Sequence, residues 1–141
     1  MIVNNGILLK YNGTEANVTV PAKVKVILDA FSGNTAIKGV SIEGKVHTID
    51  SAAFLGCTSL ALVKISAPVE RIGKSAFYNC KSLAKIYLPD SLQTVELGAF
   101  SSCKGLVNVS YAGKEAAWGK VTVEKNNDPL LAADRQYGVK P

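Results

Sequence analysis

The three cysteines and the single histidine are the residues whose types could hold a metal ion. Cys57, Cys80, Cys103 and His47 would together supply three thiolates and one imidazole, which is a zinc donor set. Structural zinc sites usually draw their ligands in pairs a few residues apart, whereas these cysteines lie 23 residues from one another. Because the sequence contains no paired ligands, we predict no metal site and no other cofactor.

Residues for nucleophilic or acid–base catalysis are also poorly placed. A Ser or Cys nucleophile needs a base beside it, and the only imidazole, His47, shares no repeat position with a Ser or Cys. Asp50 and Glu70 fall at different repeat positions, and Asp90 and Glu96 are typical of turns and exposed surfaces. The 12 glycines form no phosphate-binding loop. We therefore predict that the chain has no catalytic residues and is not an enzyme.

An internal repeat of 23 residues governs the whole sequence. The four phenylalanines, each preceded by Ala, and the three cysteines all recur at this interval, with Asn34 in the cysteine position of the first unit. The aliphatic residues recur with the same period, as in Val40, Val63, Ile86 and Val109, and in Ile42, Ile65, Leu88 and Tyr111. A repeat of this length predicts a solenoid, in which each unit buries its apolar face against its neighbours.

The unit from Ser75 to Val95 indicates the structure of one repeat. Its apolar residues at positions typical of one helix face are Ala76, Phe77, Cys80, Leu83 and Ala84, and Ser75 is a candidate N-cap. The following Ile86-Tyr87-Leu88 alternates as a strand does, and Pro89 begins a turn. We therefore predict an α/β solenoid, with a short helix and a strand in each unit and the strands in one parallel sheet.

The predicted stacking of the repeats also indicates whether the cysteines bind zinc, form disulfides or remain free thiols. Strands in a sheet are about 4.8 Å apart, so Cys57 and Cys103, two rungs apart, would be about 10 Å from one another. One zinc ion cannot bridge that distance with Zn–S bonds of about 2.3 Å. Disulfides between successive rungs are disfavoured because the side chains are poorly aimed at each other. We expect three buried thiols, each donating weakly to the backbone.

The two ends of the sequence depart from the repeat, as the ends of a solenoid must. Asn5-Gly6 lies between two apolar runs and predicts a hairpin. After Tyr111 the repeat stops, and the stretch Gly113–Trp118 indicates a short helix, followed by a possible strand at Val121 and Val123. We divide the single domain, residues 1–141, into an N-terminal cap (1–20), repeats (21–111), and a C-terminal cap and tail (112–141).

The unit resembles the BspA-like leucine-rich repeats. The resemblance rests on Ile72-Gly73, Ala76-Phe77, Cys80, Ser82-Leu83, Ile86 and Leu88-Pro89, which match the family signature in one unit. It implies a right-handed leucine-rich repeat stack. Members of the family are usually secreted or surface-attached bacterial proteins, implicated in adhesion to host proteins, other cells or surfaces. The resemblance therefore implies an extracellular or cell-surface protein-interaction module.

If the chain binds a protein, the outward residues of the stacked strands are the natural surface. Alternation along the strands predicts the following outward set: Ser41, Glu43, Leu62, Lys64, Ser66, Lys85, Tyr87, Asn108 and Ser110. The resemblance implies a host or cell-surface protein as the partner. The Leu, the Tyr and the two Lys of this set could anchor an acidic or mixed surface, since aromatic residues often dominate interface energy. Two alternatives remain open: a structural spacer or assembly unit, and a weak carbohydrate-binding module that uses Tyr87.

Composition excludes several other classes of protein. The net charge is +5, but the 16 basic residues are scattered and only Arg71 and Arg135 are arginines, so we predict no nucleic-acid site. The longest run free of charged residues, 51–63, is shorter than the ~20 residues of a membrane-spanning helix, so we predict no membrane insertion. The first residues also lack the basic start and apolar stretch of a secretory leader.

Overall fold

A computed structural model describes all 141 residues of the chain, which winds into a solenoid with two sheets as its walls. One wall, the long-strand sheet, contains β3 (Asn17–Thr19), β5 (Gly39–Ile42), β7 (Leu62–Ile65), β9 (Lys85–Leu88), β11 (Asn108–Tyr111) and β13 (Asp134–Tyr137). The other, the short-strand sheet, contains β1 (Ile2–Asn4), β2 (Ile7–Lys10), β4 (Val26–Ile27), β6 (Thr48–Ile49), β8 (Arg71–Ile72), β10 (Thr94–Val95) and β12 (Thr122–Val123). Two helices, α1 (Glu115–Trp118) and α2 (Asp128–Ala132), lie near the C-terminus.

Neighbouring strands of the long-strand sheet are parallel and one repeat apart in sequence. Val40 pairs with Val63, and Val63 pairs with Ile86, so the aliphatic residues of equal repeat position lie directly beside one another. These residues are almost completely buried, as are their neighbours two positions later along each strand. The alternation of inward and outward residues predicted for these strands is confirmed.

The helix predicted in each repeat is absent, and the prediction of an α/β solenoid is wrong in this respect. Ser75, the proposed N-cap, has φ of +55°, and Asn79 has φ of +60°, neither of which a right-handed helix allows. The chain instead passes through consecutive turns, and each winding carries two strands, one in each sheet. The repeats therefore form a β-solenoid, in which the second strand of each unit is the two-residue strand of the short-strand sheet.

The hydrogen bonds of this corner explain why no helix forms. Ser75, Phe77 and Asn79 donate their backbone N–H groups to the next rung, to the carbonyls of Leu97, Ala99 and Ser101 at 3.2, 2.7 and 2.9 Å. The intervening N–H groups make bonds within the same turn, for example from Tyr78 to the Ser75 carbonyl. Because every second N–H is directed to the next rung, the bonds of an α-helix cannot form.

The core runs along the solenoid as a continuous stack of aromatic rings. Phe31, Phe54, Phe77 and Phe100 are fully buried, and successive ring centroids lie 4.7, 5.1 and 5.1 Å apart with nearly parallel planes. Tyr11 extends the stack at the N-terminal end, with its ring tilted by 44° against Phe31. The 23-residue recurrence of Phe thus becomes a physical contact between every pair of adjacent rungs.

At the N-terminus, β1 and β2 form the hairpin predicted around Asn5-Gly6. The strands are antiparallel, and both turn residues have positive φ, 49° and 79°, as a two-residue type I′ turn requires. The hairpin does not lie over the long strands, because β2 pairs with β4 at the end of the short-strand sheet.

The predicted segment boundaries differ from the strand pairing at both ends. β3 lies within residues 1–20, yet it pairs with β5 in the register of the repeats. β13 lies in the segment expected to be a polar tail, yet it pairs with β11 as a full strand. The long-strand sheet therefore has six strands, two more than the four that the aliphatic repeat indicates.

The C-terminal region packs against the last repeat through aromatic side chains. α1 lies within Gly113–Trp118, where the sequence indicates a short helix, and β12 continues the short-strand sheet beside β10. The Trp118 ring meets the Tyr111 ring edge-on at 5.2 Å, and the Arg135 guanidinium lies 4.7 Å from the Trp118 ring. These contacts attach the last strand, β13, to the end of the stack.

Candidate functional site

The outward face of the long-strand sheet consists of two straight columns of side chains, one position per strand. The first column contains Thr19, Ser41, Lys64, Tyr87, Ser110 and Gln136, which are register partners from strand to strand. The second column contains Asn17, Gly39, Leu62, Lys85, Asn108 and Asp134. The regular register therefore gathers into one surface residues that are more than 100 positions apart in the sequence.

Most of the predicted site residues reach the solvent on this face. Glu43, Lys64 and Ser66 are exposed, whereas the following are half-buried: Ser41, Leu62, Lys85, Tyr87 and Asn108. Ser110 is only 1% exposed, so its prediction as an accessible binding residue is wrong. It lies between the strands that carry Tyr87 and Gln136, and its hydroxyl donates to the Gln136 side chain at 3.4 Å. Ser110 is buried because β13 pairs with β11, the strand that the aliphatic repeat predicts to be the last of the sheet.

The only tyrosine in the two columns is already engaged by a cation. The Lys85 ammonium lies 4.7 Å from the centre of the Tyr87 ring, which is a cation–π contact. Lys64, the other lysine of the face, makes no ion pair, because the two ion pairs of the chain both belong to Arg71. The centre of the face therefore presents one unpaired ammonium and one that partly covers an aromatic ring.

Two hollows interrupt the face near its N-terminal half. The first, of about 130 Å³, lies around Gly39 and is called here the Gly39 depression. The second, of about 250 Å³, is lined by Ser41, Glu43, Lys64, Ser66 and Pro141. Pro141 arrives there because Gly138 and Val139 donate their N–H groups to the carbonyls of Gly113 and Tyr111 at 2.9 and 3.2 Å. The last residues therefore turn back over the ends of the strands.

Five residues of the two columns were missed by the sequence reasoning: Asn17, Thr19, Gly39, Asp134 and Gln136. Asn17 and Thr19 could have been found, because Asn17-Val18-Thr19-Val20 alternates like Gly39-Val40-Ser41-Ile42, 22 residues later. No such signal marks β13, where Arg135 takes the position that Val109 has in β11. Only the pairing with β11 in the structure identifies β13 as a strand.

The three cysteines are buried in the core and do not reach the surface. Each thiol donates to a phenylalanine carbonyl of the preceding rung: Cys57 to Phe31, Cys80 to Phe54 and Cys103 to Phe77, at 3.0, 3.1 and 3.0 Å. Burial raises the pKa of Cys57 and of Cys103 to about 12 and also raises the pKa of Cys80. All three are free thiols, and no three His, Cys, Asp or Glu side chains come together as metal ligands.

The short-strand sheet carries a charge cluster that the sequence reasoning missed. Arg71 donates to Asp50 at 3.1 Å and to Glu96 at 2.8 Å, and so bridges the rungs on either side of its own. One guanidinium thus lies between two carboxylates and links three successive rungs. The sequence reasoning treated Glu96 as a residue of turns or exposed surface and connected Arg71 with neither carboxylate. His47 lies apart and bonds to the Thr48 hydroxyl at 2.9 Å.

The helices of the structure are four and five residues long, and neither is long or apolar enough to cross a membrane.

Comparison with known proteins finds relatives of the same architecture. Residues 11–122 match the BspA type leucine-rich repeat region in six copies. A leucine-rich cell surface protein from Faecalibacterium prausnitzii A2-165 is 23% identical, with a TM-score of 0.65 over 84% of this chain and 38% of that one. A leucine-rich repeat protein from T. pallidum is 27% identical, with a TM-score of 0.53 over 74% of this chain and 62% of that one. Among curated proteins, none matches the chain significantly. The chain thus spans less than two thirds of each of these two solved relatives.

Proposed function

Since the chain belongs to the BspA-type leucine-rich repeat family, we propose that it is a non-enzymatic protein-binding module of a secreted or cell-surface bacterial protein. Its partner is a host or cell-surface protein, and it binds on the outward face of the long-strand sheet. The observation that carries this proposal is the register of the six strands, which aligns accessible side chains into two columns. The cell-surface location is supported by the relative from F. prausnitzii, which is a leucine-rich cell surface protein.

The size of the face favours a weak, repeated contact rather than a single tight one. Six strands at a spacing of about 4.8 Å give a face about 24 Å across. A stable protein interface covers roughly 800 Å² on each partner. Strands of four residues are only about 13 Å long, so one copy of this face covers well under that area. Because the solved relatives are longer than this chain, additional rungs in a parent protein would enlarge the contact, and several copies at a surface would add avidity.

A carbohydrate is less favoured as the ligand of this face. Sugar rings commonly stack on an exposed aromatic plane, but the Tyr87 ring is half-buried and has Lys85 over it. Binding of a glycan and absence of any soluble partner are therefore the two alternative results of the binding experiment.

The test is binding of the purified chain to immobilised matrix proteins, mucins and glycans. The variant Lys64→Ala/Tyr87→Ala removes the two largest side chains at the centre of the first column. The matched control Lys74→Ala/Tyr78→Ala removes the same residue types from the turns between β8 and β9, where both are exposed. We expect the wild type and the control to bind a protein ligand and the first variant to lose it. Binding retained by both variants would move the site away from this face, and no binding by any form would favour the spacer.

A further inference from the structure

The Gly39 depression exists because one position of the second column has no side chain. Gly39 lies between Asn17 on β3 and Leu62 on β7, whose side chains form its two walls. The remaining lining comes from Thr19, Ser41 and Lys64 in the first column and from Val18 and Val40, which lie between the two columns on their strands. The depression is therefore lined by an aliphatic wall at Leu62, by two valines of the strands, and by the hydrogen-bonding side chains of Asn17, Thr19, Ser41 and Lys64.

The chemistry of this lining is that of an anion site. Lys64 supplies an ammonium, Thr19 and Ser41 supply hydroxyl donors, and no carboxylate lines the depression. The Lys64 ammonium forms no ion pair within the chain, since both ion pairs belong to Arg71, and the Glu43 carboxylate lines only the neighbouring hollow. Charge-assisted hydrogen bonds of an ammonium to a carboxylate are stronger than neutral ones, so an acidic group complements this lining best.

The volume of the Gly39 depression limits the size of the ligand group that can enter it. Sites for small molecules and cofactors usually occupy about 300–1,000 Å³, whereas the Gly39 depression measures about 130 Å³. One side chain of a larger ligand fits this space, and the Leu62 wall would contact the methylene groups of that side chain. The open sheet on either side leaves room for the remainder of the ligand.

We propose that the Gly39 depression binds the carboxylate side chain of an Asp or Glu in a protein partner, with Lys64 as the charged contact. The proposal rests on the proposed function, because it identifies a specificity-determining contact on the same face. It assigns roles to Asn17, Thr19 and Gly39, none of which belongs to the outward set predicted from the sequence.

The substitution Gly39→Ala tests the depression without removing a charge. An added Cβ would occupy part of the depression and lie 2.5 Å from Oδ1 of Asn17, so the Asn17 side chain must also shift and the lining changes. The φ of Gly39 is not positive, so alanine is compatible with the backbone of β5. Gly119→Ala is the matched control, because its Cβ would meet nothing closer than 3.5 Å and its φ is −60°.

The probe is a fluorescein-labelled peptide of alternating Glu and Ser, compared with a peptide that has Gln in place of every Glu. Anisotropy measures its affinity for the wild type, Gly39→Ala, Lys64→Gln, Gly119→Ala and the exposed-lysine control Lys74→Gln. Chemical shifts of the backbone amides locate the bound peptide. Loss of a charge-assisted hydrogen bond weakens binding by about tenfold or more, and we expect this for Gly39→Ala, for Lys64→Gln and for the Gln peptide.

The amide shifts should concentrate at Gly39, Ser41 and Lys64, and both control variants should bind as the wild type does. Equal weakening by Lys64→Gln and Lys74→Gln would overturn the proposal, because net charge alone would then explain binding. Absence of shifts at these three residues up to millimolar peptide would also overturn it. So would binding of a uronic-acid oligosaccharide in place of the peptide. A partner lost by Lys64→Ala/Tyr87→Ala but kept by Gly39→Ala would reject the depression while leaving the proposed function intact.

Discussion

The side-chain oxygen Oδ1 of Asn127 accepts the backbone N–H of Phe100 at 2.9 Å. In the preceding rungs the same N–H group finds a backbone carbonyl: Phe54 donates to Ala76, and Phe77 donates to Ala99. Asn127 also donates to the carbonyls of Glu96 and Glu124 at 3.0 and 2.9 Å. One buried side chain thus replaces the rung that would have followed Phe100, which satisfies the end of the ladder.

The substitution Asn127→Ala should destabilise the whole chain. Asn127 is 1% exposed, so its removal leaves the Phe100 N–H buried without an acceptor, and each such group costs about 1–3 kcal/mol. We expect a loss of at least about 2 kcal/mol in the free energy of unfolding, measured by urea denaturation, and faster exchange of the Phe100 amide proton. Lys125→Ala, at an exposed neighbouring position, is the control. An unchanged midpoint for Asn127→Ala would show that water satisfies the ladder equally well.

Gly73 should not tolerate a side chain. A Cβ there would lie 2.7 Å from the backbone carbon of Asp50 and from the nitrogen of Ser51, and backbone atoms cannot rotate aside. Overpacking of this kind typically costs about 1–3 kcal/mol, and we expect that loss for Gly73→Ala in urea denaturation. Gly119→Ala should leave stability nearly unchanged in the same measurement. If the two variants unfold at the same urea concentration, the rungs at Asp50 must separate easily.

The cluster at Arg71 should make part of the stability depend on pH. Burial raises the pKa of Asp50, but the backbone N–H of Ser51 and the Arg71 guanidinium outweigh this effect and leave the pKa below its ordinary value of 3.8. The folded-state pKa is thus depressed, so the stabilisation is complete above the unfolded pKa and is lost as pH falls through the folded pKa. Because the Arg71 side chain is 38% exposed, solvent screening limits the contribution to about 1 kcal/mol.

We therefore expect Asp50→Asn to be less stable than the wild type at about pH 7, with the difference shrinking towards about pH 3. The measurement is urea denaturation at both pH values, with Arg71→Gln and the double variant completing a mutant cycle. The cycle should show coupling between Asp50 and Arg71. Additive effects at neutral pH would mean that the ion pair contributes nothing.

The three thiols should be unreactive in the folded protein. Burial raises the pKa of all three, to about 12 for Cys57 and Cys103, and the thiolate is the reactive form. Iodoacetamide at about pH 8 should alkylate none of them until urea unfolds the chain, after which all three should react together. Mass spectrometry counts the alkylated residues. Rapid labelling of a single cysteine in the native state would reveal local opening of that rung.

The sequence predicted the side chains of the core and the direction in which they point more reliably than the backbone path that carries them. The aliphatic columns were confirmed because inward residues alternate in a strand whatever the partner strands are. The helix was wrong because its spacing, from Ala76 through Cys80 to Leu83, is also met by a series of turns. The helix and the series of turns differ in their hydrogen bonds, because Phe77 and its neighbours donate to the next rung only in the series of turns. Those bonds require a stacked neighbour, which the sequence of one repeat does not show.

The outward face was predicted in part for a related reason. Lys64 and Tyr87 were found because they lie between inward residues that recur every 23 positions. The Gly39 depression was missed because it depends on the side chain that Gly39 lacks and on β3, a strand 22 residues earlier. Ser110 was misplaced because β13 carries no apolar repeat, so that nothing in the sequence indicated a strand beyond β11.

The constant register between β7 and β9 has a consequence for how such a protein can change over generations. Residues 62–84 form one period, and a tandem duplication of them would add one rung, about 4.8 Å long, between two existing ones. The Asn127 bonds at the end of the ladder and the hairpin of β1 and β2 would remain as they are. The length of the face can therefore evolve in steps of one rung. Each step adds one residue to each column and leaves the pairing of the other strands unchanged.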